Sequence, residues 1–323
     1  MPLDPPPAIQ ITAMATSEAL EARLAETLAE GPGNPAGLFG PDSVLWHVNR
    51  EAVLFLGAGR ALLLQLAHPW VAAAIVGHSR ALSDPIGRFH RTFDAVYSMV
   101  FGTVEQAQSA ARRLHRRHGA ITGTLPDHAG PFPAGSSYRA NETSALAWVH
   151  ATLAETALMV HDRVLPPLSP AQREHYWTDS CRLARMFGLQ AEDLPADWAS
   201  FERQCRTLWD SPTAAVTDEA RRVADALFHR RNSWLRAPGW YLDLTASLLP
   251  ERVRHGFGLP YGPLQQRRAE RVLAWARRVY PRLPAPLRHV APYQEAMARI
   301  DGRPMPGLSV RTLNRFWIGR SRL

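Results

Sequence analysis

Apolar residues recur along this chain at intervals of three and four, not two, which is the signature of amphipathic helices. The pattern is clearest between Asp84 and Pro126. There the run IGRFHRTFDAVYSMVFG sets Ile86, Phe89, Phe93, Val96, Tyr97, Val100 and Phe101 on one stripe. Ser83 or Asp84 supplies a cap, Pro85 suits the first helical position, and Gly102 supplies a stop. A second helix follows, with Ala107, Ala110, Ala111, Leu114 and Ile121 at the same spacing. At about 100° per residue, His118 falls in the middle of that stripe and His115 at its edge.

The remaining elements are also helical. Thr16 or Ser17 opens a short helix that Gly31 closes, and glycine and proline make a loop as far as Ser43. Val53 to Val76 is strongly apolar but is interrupted by Gly57, Gly59, Arg60, Gln65, His68 and Pro69. A membrane-spanning helix wants roughly 20 nearly unbroken apolar residues. The segment therefore reads as a buried helix pair, kinked at His68 because a residue before proline resists helical geometry. His68 is expected to cap the last carbonyls of its own helix. Asn141 is expected to cap a long helix that carries His150, and Ser169-Pro170 opens the next. Asp197, Ser211-Pro212, Pro238 and Pro263 open shorter ones. No convincing period-2 strand exceeds a few residues and no internal repeat is present. The expected fold is all-α: a flexible tail over 1–15, one helical domain over 16–250, and a helical C-terminal extension over 251–323 packed on it.

Composition narrows the chemistry. The net charge is +8, and the chain contains no lysine, so all 37 basic residues are arginine. Pairs such as Arg221–Arg222 and Arg277–Arg278 are scattered over amphipathic helices among Glu and Asp. That scatter argues against nucleic acid as a partner and leaves peripheral contact with a membrane surface open. Two cysteines are too few for a disulfide framework, and the expected setting is the reducing cytoplasm. The first ten residues lack the basic and apolar regions of a secretory signal. There is no P-loop, HExxH, G-x-S-x-G or CxxC pair, and Gly57-Ala-Gly59 lacks both the third glycine and the preceding strand of a dinucleotide fingerprint. What remains is a set of histidines on buried faces: His90, His118 and His150. Each is either a neutral core imidazole bonded to a neighbouring carbonyl or a ligand to haem iron or another metal.

Four strings carry a resemblance. They are QLAHPWVAAAIVGHS (65–79), DPIGRFHRTFDAVYSMVFGT (84–103), His118 with the downstream Gly123-Thr-Leu-Pro126, and YRANETSALAWVHATL (138–153). Together they resemble the oxygenase family that joins the fungal mycophenolate-pathway oxygenase MpaB to the bacterial latex clearing proteins. The resemblance implies a globin-like helical core holding haem b, and cleavage of carbon–carbon double bonds in isoprenoid chains by O2. It implies that Arg88, Arg91 and Thr92 lie on the distal side of the haem. It also implies that His118 is the proximal ligand, with His115 as the fallback. The family's distal lysine is Arg91 here, and a guanidinium does not ligate iron as a lysine amine does. His90 is left as a distal ligand or a core residue. Phe89, Phe93 and the Leu62–Val76 segment are expected to line a cavity for the cofactor and an apolar alkene. The expected activity is therefore a haem-dependent oxygenase; the alternative is a non-catalytic haem- or lipid-binding helical protein.

Overall fold

The computed structural model describes residues 13–78, 84–228, 237–303 and 306–323. Within these residues the chain is helical apart from one short hairpin. The first half runs α1 (Ser17–Glu30), α2 (Val44–Asn49), a 3₁₀ turn (Ala52–Gly57), α3 (Ala58–Leu66), α4 (Pro69–His78), α5 (Pro85–Phe101) and α6 (Val104–Gly119). Strands β1 (Thr122–Thr124) and β2 (Ser137–Arg139) pair antiparallel with Gly123 opposite Tyr138. Then come α7 (Thr143–Val164), α8 (Pro170–Arg185), α9 (Trp198–Asp210), α10 (Asp218–Phe228), α11 (Gly239–Leu248) and α12 (Glu251–Gly256). The chain closes with α13 (Pro263–Val279), α14 (Ala285–Arg288), α15 (Ala291–Ile300) and α16 (Leu308–Ile318).

Helices begin where short polar side chains satisfy the first free backbone N–H groups. Thr16, Ser43, Asp84, Ser169 and Asp197 accept from the first turns of α1, α2, α5, α8 and α9. Three expected caps are absent. Asn141 does not cap α7; its Nδ2 donates to the His115 carbonyl at 3.2 Å, and Glu142 takes the cap position without a side-chain bond. Ser211-Pro212 does not open a helix; α10 starts at Asp218, with Thr217 Oγ1 accepting from Ala220 N at 3.1 Å. His68 does not cap α3; it is buried, and its Nδ1 has no hydrogen-bond partner.

Helix α7 lies at the centre, with α2, α3, α8, α9, α13 and the 3₁₀ turn against it. Gly57 makes that approach close: a Cβ there would meet Thr156 and Val160 of α7 at 2.6 and 2.7 Å. This explains a glycine that has no part in a nucleotide loop. The apolar run Ala52–His78 bends by 99° between its two helices, and no single helix among the described residues is long and apolar enough to cross a membrane. Buried aromatic side chains find carbonyl partners for their polar ends, as Trp46 Nε1 does with Val100 O at 2.6 Å and Trp148 Nε1 with Leu64 O at 2.9 Å. Helices α15 and α16 pack on α5, and Ala296, Ile318 and Leu323 share one apolar core with Trp46, Phe101 and Trp177.

Two buried ionic groups tie the layers. Arg60 on α3 is 2 % exposed. Its Nη2 meets Glu155 Oε2 at 2.6 Å, its Nη1 donates to Thr156 Oγ1 at 2.5 Å, and its Nε donates to Leu248 O at 2.8 Å. Trp209 Nε1 of α9 donates to the same Glu155 oxygen at 3.1 Å. Glu51 receives Tyr280 Oη at 3.0 Å and Arg288 Nη2 at 2.9 Å from the C-terminal part of the chain. Burial alone would raise its carboxyl pKa, but bonds and charge from His289, Arg288 and Tyr280 outweigh that and hold it at about 2. Breaking a buried pair from one side leaves an uncompensated charge. Arg60→Met is therefore expected to lower the unfolding free energy by roughly 3–5 kcal/mol, read from denaturant melts. A loss below about 1 kcal/mol would match an exposed pair instead.

Candidate functional site

The end of α6 carries the residues of interest. Ala107, Ala110 and Ala111 bury the helix against its neighbours, which aims the C-terminal turn toward the hairpin. There His118 lines a recess of about 420 Å³. Gly119, Gly123, Tyr138, Arg139, Asn141 and Met14 complete much of the wall. A Cβ at Gly123 would lie 2.5 Å from Tyr138 Oη, so a larger residue there would have to push the Tyr138 ring aside. His78 Nε2 donates to the Thr122 carbonyl at 2.9 Å and fastens α4 to the same hairpin.

The His118 ring is half-buried. Burial, with Arg117 and His115 adding to it, lowers its pKa to about 4. The imidazole is therefore neutral at pH 7 and keeps a nitrogen lone pair for a metal or a proton. His115 takes another direction: its Nε2 lies 3.3 Å from Ser17 Oγ, while Nδ1 is buried without a partner. The Asn141 bond to the His115 carbonyl clamps the start of α7 on the last turn of α6, next to His118.

The other expected site residues are dispersed. Arg91 pairs with Asp84 at 3.1 Å on the exposed side of α5. Thr92 Oγ1 donates to the Arg88 carbonyl at 3.0 Å within the same helix. Arg88 differs, because its Nη1 is buried and unpaired. Burial first, and the nearby Arg91 charge second, make it a weaker base than a free guanidinium, although it remains a cation. His90 Nε2 donates to the Phe316 carbonyl at 3.0 Å, so α16 holds that ring. Phe89 and Phe93 pack with tilted rings against each other at 4.5 Å and against Phe55, while Trp317 closes on Phe55 at 4.4 Å. Phe93 thus packs in an aromatic group covered by the C-terminal helix. His150 is a core residue: its Nε2 donates to Ser180 O at 3.0 Å, and burial lowers its pKa to about 4.

Sequence reasoning passed over Tyr138 and undervalued His68. Tyr138 sits on a strand of three residues, too short for any alternation to show. His68 is enclosed by Trp70, Phe132 and Trp148, and burial lowers its pKa to about 3. A second recess, of about 630 Å³, lies between α4 and the start of α10. Its rim carries Asp127, Asp218, Glu219, Arg221 and Arg222, which suits water better than an apolar ring. Among the described residues no three His, Cys, Asp or Glu side chains could together hold a metal ion. A single ring nitrogen, such as that of His118, is the kind of protein ligand a prosthetic group needs.

Residues 45–278 match the family model described as ER-bound oxygenase mpaB/B'/Rubber oxygenase, catalytic domain. The chain belongs to the MpaB/rubber oxygenase family. The match takes in α2 to α13, and so both the His118 recess and Arg88. No curated protein and no solved structure matches the chain. Family membership makes this an oxygenase-type catalytic domain.

The buried imidazoles generate a pH dependence. Their folded pKa values lie below the ordinary 6.5, so the unfolded chain binds protons more strongly and stability rises with pH between the two values. Stability is complete above about pH 6.5 and is lost as the pH falls toward 4. His150 alone is expected to remove roughly 2 kcal/mol between pH 6.5 and 5. Denaturant melts of His150→Gln should show a slope shallower by that amount over this window; an unchanged slope would mean the ring is already protonated in the folded protein.

Proposed function

We propose that this member of the MpaB/rubber oxygenase family is a haem b-dependent oxygenase that cleaves or oxidises a carbon–carbon double bond of an apolar, isoprenoid-like substrate with O2. One observation carries the reading: within the family-matched stretch, an imidazole kept neutral by burial lines a recess of ligand size. Two features of the recess support the group. A haem needs an axial nitrogen that is not protonated and walls that accept a flat ring. His118 supplies the first; Gly119, Gly123, Met14 and the Tyr138 ring supply part of the second, while Thr122, Thr124, Ser137, Arg139 and Asn141 make the rest of the wall polar. When bound, haem supplies the redox chemistry that activates O2, and the polypeptide supplies position and polarity.

The protein's own part falls to a few residues. His118 is the ligand, and its clamp is the Asn141 bond at the end of α6. Arg88, which the family resemblance puts on the distal side, is assigned the polarising role among the three distal candidates, because its buried Nη1 has no hydrogen-bond partner. Arg91 and Thr92 are occupied by Asp84 and by their own helix, and so rank behind it. Cleavage consumes one alkene and one O2: the double bond breaks and each carbon gains one oxygen, giving two carbonyl groups.

The test is spectroscopic first. Purified protein reconstituted with haem is expected to bind it near one to one and show a Soret band. His118→Ala should lose that band, while His115→Ala should keep it. Arg88→Ala should retain haem but slow O2-dependent alkene consumption by about 10²-fold. A Soret band unaltered in His118→Ala would remove the assignment.

A further inference from the structure

Outside the site, the surface of α13 carries a pattern that the proposed reaction does not use. Leu264, Arg267, Arg268, Arg271, Trp275 and Arg278 fall within an arc of about 100° at 100° per residue. All six are exposed. The opposite side of the helix is buried through Ala269, Leu273 and Ala276. Two large apolar side chains therefore stand in water among the arginines, Leu264 before the row and Trp275 between Arg271 and Arg278: Leu264 is 53 % exposed and Trp275 65 %. A third joins them from α11, which packs along α13. Trp240, 46 % exposed, lies one turn before Asp243, and Asp243 meets Arg268 at 3.4 Å.

The charge is unbalanced. Among the described residues, Arg268 alone of these four arginines has a carboxylate partner. Glu270, the one acidic residue of α13, lies outside the arc and bonds Gln266 at 2.9 Å. Exposed guanidinium groups, three of them without a carboxylate partner, interleaved with exposed Trp and Leu make this face both cationic and apolar. Such a face suits the boundary of an anionic bilayer, where tryptophan rests at headgroup level and arginine binds phosphate.

We propose that the α11–α13 face docks this protein on anionic membranes, with α13 lying in the interfacial plane. A second copy of the chain does not fit, because the same row of positive charge would face itself. Nucleic acid accounts for the arginines and for tryptophan stacking, but not for the exposed aliphatic Leu264. If the proposed oxygenase reading holds, docking also brings the chain to the phase where an apolar alkene is dissolved; the docking itself does not depend on that reading.

Co-sedimentation of the full chain with vesicles tests it. The protein should pellet with phosphatidylcholine vesicles containing about one-third phosphatidylglycerol, should bind pure phosphatidylcholine far more weakly, and should be released as salt rises. Each of Arg267→Gln, Arg271→Gln and Arg278→Gln should weaken binding about fivefold. Leu264→Ala with Trp275→Ala should weaken it at least tenfold. All five positions are on the surface, so thermal melts should match the parent. Arg203→Gln with Arg206→Gln on α9 should leave binding unchanged. Equal loss in that control, no pelleting at low salt, displacement from vesicles by duplex DNA through the same arginines, or dimerisation lost in Trp275→Ala would each overturn the proposal.

Discussion

The ion pair between Arg60 and Glu155 is the constraint around which the helices are arranged. A guanidinium this deep is tolerable only when its donors are met, and meeting them takes α7, α11 and, through Glu155, α9. Those demands set α3 across α7, with Gly57 allowing the chain to come close just before it. The kink that follows sends α4 off at 99° onto the β1–β2 hairpin. The recess at His118 is one consequence, because the hairpin that α4 supports is also its wall.

A second ionic knot performs the same task for the C-terminal third. Glu51 gathers Tyr280, Arg288 and His289, and this ties the segment after α13 back to the 3₁₀ turn. From there α15 and α16 reach α5 and cover its aromatic stripe. The cover explains why His90, Phe89 and Phe93 engage the C-terminal helix or each other, while Arg88, one residue before Phe89, retains a buried donor with nothing to bind. Two charges on one helix thus have different fates: Arg91 is neutralised at the surface and Arg88 is left with chemical capacity.

The histidines divide in the same way. Burial lowers the basicity of His68, His118 and His150, so all three are neutral near pH 7. Their roles separate only through their neighbours. His150 has a carbonyl and a hydroxyl at 3.0 Å and is complete as a core residue. His68 is walled in by aromatic rings. His118 alone of the three lines the recess at the hairpin.

Much of this was legible in the order of residues. Period, caps and stops located α1, α5, α6, α8 and α9, because these signals act within one or two helical turns and need no partner elsewhere. The kink at Pro69 and the stripe position of His118 follow from the same local rules. Family-like strings between 65 and 153 also anticipated the oxygenase domain. The sequence was silent or misleading wherever a side chain had a choice of distant partners. Asn141 could have capped its own helix and bonded the end of α6 instead; Phe93 could have lined a cavity and stacked under a helix more than two hundred residues away. Arg60 could have been one more surface arginine. Local geometry is decided by neighbours along the chain, whereas the fate of a polar or aromatic group is decided by what the folded chain brings within 3 to 5 Å of it.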